Sequence, residues 1–214
     1  MTREELIKKV ALKMDEISSS DDVIVKVDTS DNNPLYTQIN NLLNESINDV
    51  LTKAPIYRLQ GHISSVSDHT KMAIFGTSRY AVSIPVPGDF IRLVSVNDVA
   101  FQRPISELAI EGDNVDKMQH NRHLVAKNAK PVAVMCNASN GRVIMCYSYR
   151  EDETPNPTML YIKRYTNVDM AGDVELDEYM TDLVSWVCAG RVFAAQGDIN
   201  KGKICDDNAS SLMI

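Results

Sequence analysis

The chain has 214 residues, 44% of them hydrophobic and 24% charged, which is enough apolar material to build a core without disulfides or metals. Its formal net charge of −7 and pI of about 5.1 argue against broad, sequence-independent phosphate binding, which needs Lys and Arg to displace counterions. The four cysteines (Cys136, Cys146, Cys188, Cys205) form no CxxC pair and no zinc spacing, so they read as free thiols in a reducing compartment.

"MTREELIKK" has no signal-peptide character, no apolar run is long enough to span a bilayer, and the expectation is a soluble protein made in a cytoplasm. On that expectation the sequons at Asn44, Asn137 and Asn208 carry no meaning.

Thr2 and Glu5 form a capping box, and Leu6, Ile7, Val10, Met14 and Ile17 then recur at helical spacing. The polar run Ser18–Asp22 ends this helix, and Val23–Val27 is either a short strand or an extended linker. A second helix starts with Asn33 as N-cap and Pro34 at its first position, and Pro55 stops it. Its apolar stripe is Leu35, Ile39, Leu42, Leu43, Ile47, Val50 and Leu51. Its opposite face (Gln38, Asn41, Asn44, Asn48, Thr52) is polar and nearly uncharged, which suits either solvent or another polar protein surface.

Tyr57–Arg79 is mixed and gives no clear element. In "SIPVPGDFIRLVSVNDVAFQRPI", Pro85 and Pro87 delete donors on one strand edge, so Ser83–Val86 is an edge segment or a frayed strand end. Phe90–Ala100 continues as a strand with Ile91 and Leu93 on one face and Phe90, Val94 and Val96 on the other, covered on both sides. Glu111–Lys130 reads as a long loop or short helix on a rim. Pro131–Ala138 and Arg142–Tyr149 read as a hairpin about Asn140-Gly141, and Thr158–Tyr165 as a further strand.

The C-terminus returns to helix. Asp177 caps "EYMTDLVSWVCAGRVFAAQ", the small residues Ala189, Gly190, Ala194 and Ala195 allow close helix approach, Gly197 ends the helix and Asp198 caps a last one.

The fold class is therefore α+β: an antiparallel helical bundle from N- and C-terminal helices, with an inserted small antiparallel β domain. Residues 1–56 supply the first helices, 57–168 the β-rich insert with its long loop 111–130, and 169–214 the closing helical hairpin.

Motifs for chemistry are sparse. His120 and His123 in "HNRH" have histidine spacing for a metal but no predictable third ligand. "DMAGDVELDE" fails the EF-hand register, and "GDINKGKICDD" lacks the P-loop glycine spacing and its Ser or Thr. No GxSxG, HExxH or GxGxxG is present, so no cofactor or active site is expected. Lys117, Arg122, His123, Lys127 and Lys130 form the one basic cluster, which is either a solvated loop or a contact for an acidic neighbour or passing DNA.

Three stretches, "NPLYTQINNLLNESINDVLTKAP", "IPVPGDFIRLVSVNDVAFQRPISEL" and "ELDEYMTDLVSWVCAGRVFAAQGDINKGK", resemble the head–tail adaptor (connector, or ring) proteins of short-tailed bacteriophages, most of all those of crAss-like phages. They cover about a third of the chain, in the family's order.

The resemblance implies a non-enzymatic virion protein at the head–tail junction, docked beneath the portal protein as a dodecameric ring. It would extend the DNA channel and meet other neck or tail proteins, with genomic DNA passing unread and no membrane involved. Gln38, Asn41, Asn44, Val94, Val96 and Arg103 are the expected subunit or partner contacts. Two other classes remain: a small α+β binding module (host-interaction or regulatory) outside any particle, and an enzyme assembled from His62, His69, His120 and Asp residues.

Overall fold

The computed structural model describes residues 1–18, 34–139 and 141–213. The Val23–Val27 stretch, the Asn33 cap, most of the polar run before them and Asn140 of the hairpin turn lie outside the described residues. The protein is a mixed α+β structure with two sheets, and its chain divides into two compact units: 1–62 with 164–214, and 63–163.

The helical unit holds α1 (Arg3–Ser18), α2 (Pro34–Lys53), α4 (Glu178–Ala195) and α5 (Ile199–Leu212), with two 3-10 turns, Ile56–Arg58 and Gln60–His62. The capping box forms: Glu5 Oε2 accepts from Thr2 N (2.8 Å) and Thr2 Oγ1 accepts from Glu5 N (3.2 Å). The same bond holds the Glu5 carboxyl below its usual range.

Asp177 and Asp198 cap α4 and α5 through Met180 N (2.7 Å) and Lys201 N (3.1 Å). Between them Gly197 takes φ +87°, and Asp198 N returns to Phe193 O (2.9 Å), a left-handed close that a side-chain-bearing residue would resist. α4 packs against α1, α2 and α5 and is buried on most of its circumference. A Cβ on Gly190 would sit 3.2 Å from Cys205 Cβ and 3.3 Å from Gly202 O, so two glycines set the closeness of α4 to α5.

The β unit contains β1 (Ile63–Val66), β2 (Thr70–Ala73), β3 (Tyr80–Pro85), β4 (Phe90–Asn97), β5 (Leu108–Ile110), α3 (Asn114–Gln119), β6 (Val132–Ala138), β7 (Gly141–Tyr149) and β8 (Thr158–Lys163). Three strands form one sheet in the order β1-β8-β4 and five form another in the order β2-β3-β7-β6-β5.

Between the sheets lies a core of Val82, Ile84, Phe90, Leu93, Val96, Ile144, Cys146, Met159 and Tyr161. Ala81, Val134 and Tyr147 point to the other side of the five-stranded sheet and pack under Val125 and Ala126. The period-two switch along β3, β6 and β7 thus buries both faces of that sheet.

Two features depart from the sequence reading. β5 runs parallel to β6, because α3 and the segment after it return the chain to the end where β5 began. The second departure is in β4, whose inward residues are Phe90, Leu93 and Val96, every third rather than every second position. The cause is two β-bulges, between Phe90 and Arg92 and between Leu93 and Ser95, where β4 spends an extra residue against β8. Leu93 and Val96 therefore share a face.

The prolines find their place too. Val86 N donates to Arg142 O of β7, so odd-numbered β3 residues face β2. β2 starts at Thr70 opposite Ser83, and the donors that Pro85 and Pro87 lack would point where no strand pairs.

Ser148 occupies a bulge opposite Tyr80 with φ +134°, and its Oγ is buried without a hydrogen-bond partner among the described residues. Both features favour glycine there. Ser148→Gly is expected to raise stability by about 1 kcal/mol in denaturant unfolding. A loss of stability would mean that the hydroxyl has a role the geometry hides.

Candidate partner-binding surfaces

The segment from α3 to β6 carries the basic residues, and its folding explains their display. Asp113 caps α3 by accepting from Asp116 N (2.8 Å). Asp116, itself buried, accepts from Gly112 N (2.8 Å), and Gln119 Oε1 accepts from Ala126 N (2.9 Å). These bonds pin the segment onto the sheet with Val125 and Ala126 inward.

Lys117, Arg122, His123, Lys127 and Lys130 are left exposed, and none makes an ion pair among the described residues. Met118 and Leu124, about half exposed, stand among them. His120 lies 3.7 Å from Asp116 and edge-on to Tyr147, apart from His123 in role.

The charge balance differs sharply between the units. The helical unit holds eleven Lys and Arg against nineteen Asp and Glu; the β unit holds eleven against ten, and the resulting −8 and +1 account for the net −7. The basic segment thus belongs to a near-neutral unit, while nearly all the excess acid resides in the other.

The polar face of α2 turns out to be used within its own unit. Arg3, 1% exposed, spreads four of its five N–H groups over neutral oxygens: Nε to Asn40 Oδ1 (2.7 Å), Nη1 to Asn44 Oδ1 (2.6 Å) and Asn167 O (2.9 Å), and Nη2 to Asn40 O (2.9 Å). No carboxylate pairs with it among the described residues. Asn48 brackets Tyr165, donating to its carbonyl (3.0 Å) and accepting from its amide (2.8 Å). Arg191 joins Glu45 (3.1 Å) and Asp49 (3.4 Å) nearby.

Of the expected contact residues on α2, Asn44 is half-buried and gives its Oδ1 to Arg3, Gln38 accepts from Gln196 Nε2 (3.2 Å), and Asn41 is exposed. Val96 is withdrawn: at 0% exposure inside the sandwich it has no face to offer. Val94 is half-buried at a bulge, and Arg103 is exposed.

Sequence reasoning passed over Arg3 and Asn40, since a lone arginine in a first helical turn looks like solvent-facing charge. The signal available was an Asn-rich α2 whose amides needed a donor.

Among the described residues no group of three His, Cys, Asp or Glu side chains is placed to hold a metal ion, and no helix is long and apolar enough to cross a membrane. His62 is buried with its Nε2 3.0 Å from Glu175 O, whereas His69 and His120 are exposed.

All four thiols are free. Burial pushes Cys136 up to about 11, helped by the Glu111 and Asp116 carboxylates, and Cys146 and Cys205 up to about 12. The thiolate is the nucleophile, so a raised pKa means slow alkylation at neutral pH and faster alkylation as pH rises. Cys136, the half-buried one, is expected to react with iodoacetamide at pH 8 on the order of 100-fold more slowly than free cysteine, accelerating roughly tenfold per pH unit to pH 10. A fast, pH-independent reaction by mass spectrometry would contradict this.

Searched against family models and curated proteins, the chain matches none.

Proposed function

We propose that this chain is a structural virion protein: a head–tail adaptor subunit that sits in a ring beneath the portal, extends the DNA channel and joins the capsid to the tail. On this reading the helical unit is an antiparallel bundle that forms the frame of the ring, and the β unit is its insert.

The observation that carries the proposal is the exposed basic segment, without an ion pair among the described residues, on an otherwise acidic chain. A ring is a heterologous assembly, in which one surface meets a different surface of the next copy. A near-neutral unit with a cationic stretch and a unit of net −8 supply two such unlike surfaces. An acidic subunit also suits a channel through which DNA must slide without sticking. The resemblance of the α2, β3–β4 and α4–α5 stretches to adaptor proteins points the same way.

Asymmetric cryo-EM of the particle, focused on the tail-bearing vertex, tests the reading. The expected result is a ring below the portal whose density accepts this chain. Well-resolved neck density with no place for it would sink the proposal and leave a free-standing binding module as the better account.

A further inference from the structure

The five-stranded sheet carries unlike features on its two outer edges. At the β2 edge, the turn from β2 to β3 buries Ile74 but holds Phe75 out at 95% exposure, with Gly76 at φ +76° making the turn. Met72, 41% exposed, lies on the same edge strand.

At the β5 edge, a groove of about 600 Å³ is lined by Pro104, Ile105, Leu108, Val115 and Val132, with Arg103, Glu107 and Asp113 among its polar lining. Phe75 and Met72 together make an exposed apolar spot at the β2 edge, and contiguous exposed apolar surface is what marks an interaction site.

The topology puts these features at one level. β2 antiparallel to β3, β3 to β7, and β7 to β6, with β5 parallel to β6, means that β2 ends where β5 and β6 begin. The turn and the start of the groove therefore share one end of the sheet, four strand spacings or roughly 19 Å apart. A sideways step of one copy would carry the turn of one molecule to the groove of the next, with β2 running antiparallel to that neighbour's β5.

The charges match. The hairpin from Thr70 to Tyr80 carries Arg79, and Lys71 held by the Glu151 and Glu153 carbonyls, and no acid, whereas the groove has Glu107 and the α3-capping Asp113 against Arg103. Glu107 is exposed and makes no ion pair among the described residues.

We propose that the Phe75 turn of one copy docks into the Pro104–Leu108 groove of a second copy of this chain, an edge-to-edge, head-to-tail contact. The contact would be the lateral joint of the ring proposed above, and it rests on that reading for its closure into a ring. Fixed polarity follows from the unlike edges: a copy always has one turn and one groove free, so the contact propagates instead of stopping at a pair.

Cysteine cross-linking of the purified full chain at high protein concentration decides it. The native thiols are poor competitors, being buried or half-buried with raised pKa values. The double variant Ser78→Cys, Ser106→Cys, which places one thiol on the turn and one in the groove lining and keeps Phe75, Arg79 and Glu107, is expected to give a ladder of disulfide-linked species beyond the dimer on mild oxidation. Two single variants should link only when mixed, and only to dimers. Adding Arg79→Glu should reduce the ladder at least fivefold.

Absence of the ladder, or single variants that dimerise alone as readily as the mixture, would overturn the proposal. The two readings fail separately: a ladder from a protein missing from particles removes the adaptor role and keeps the contact. A ring in the particle whose copies fail to cross-link does the reverse.

Discussion

Replacing Arg3 with Ala is expected to cost about 3–5 kcal/mol of stability, a fall in Tm on the order of 10 °C for a chain of this size. The change removes one side chain and takes the donor from three acceptors, the Asn40 and Asn44 side-chain oxygens and the Asn167 carbonyl, while the Asn40 carbonyl keeps its bond within α2. Each buried acceptor left without a donor costs about 1–3 kcal/mol, offset in part by rotation of the amides toward other partners. Arg3→Lys should recover less than half, because one ammonium cannot reproduce the planar fork that meets oxygens from two directions. Thermal unfolding of the two variants measures both. A loss under 1 kcal/mol for Arg3→Ala would show that water replaces the guanidinium at little cost.

Charge placed at Val96 should be more damaging still. Val96→Asp puts a carboxylate at a position of 0% exposure in an apolar cluster with Phe90, Leu93, Met159 and Ile144. The expected loss exceeds about 4 kcal/mol, enough to open the sandwich. Val94→Asp, two residues away at the second bulge and half-buried, should lose no more than about 1.5 kcal/mol. Hydrogen exchange read on β3, β7 and β8 separates the variants. Equal loss of protection in both would refute the bulged register.

The contrast between these two valines shows what a sequence can and cannot carry. Period-two reading assigns Val94 and Val96 to one face and is defeated by the extra residues of β4, which are visible only against β8, about 70 positions downstream. β1 and β2 escaped notice for a related reason: β1 pairs with β8 about 100 residues away, and β2 is four residues with one half-buried position.

What depends on neighbours in the chain was readable. The Thr2–Glu5 box, the Asp177 and Asp198 caps, the Gly197 close and the β6–β7 pairing each rest on residues a few positions apart. At the surface the basic segment was visible as composition, but its display required Val125 and Ala126 to face inward and Gln119 to hold them. The polar face of α2 misled because its partners, Arg3 and Tyr165, lie about 40 and 117 positions away. Nothing local distinguishes an amide waiting for solvent from one waiting for a guanidinium.

The pairing of β1 with β8 has an evolutionary corollary. Ile63 lies opposite Ile162, so the strand that opens the β unit and the strand that ends it run side by side, and the chain leaves within about one strand spacing of where it entered. A segment with adjoining ends can be excised, lengthened or exchanged for another of the same footing without rethreading the helices that flank it. The helical unit can stay under one selection while the 63–163 unit drifts or is replaced under another. Lineages of such a protein would then diverge in the middle of the chain while keeping similar ends.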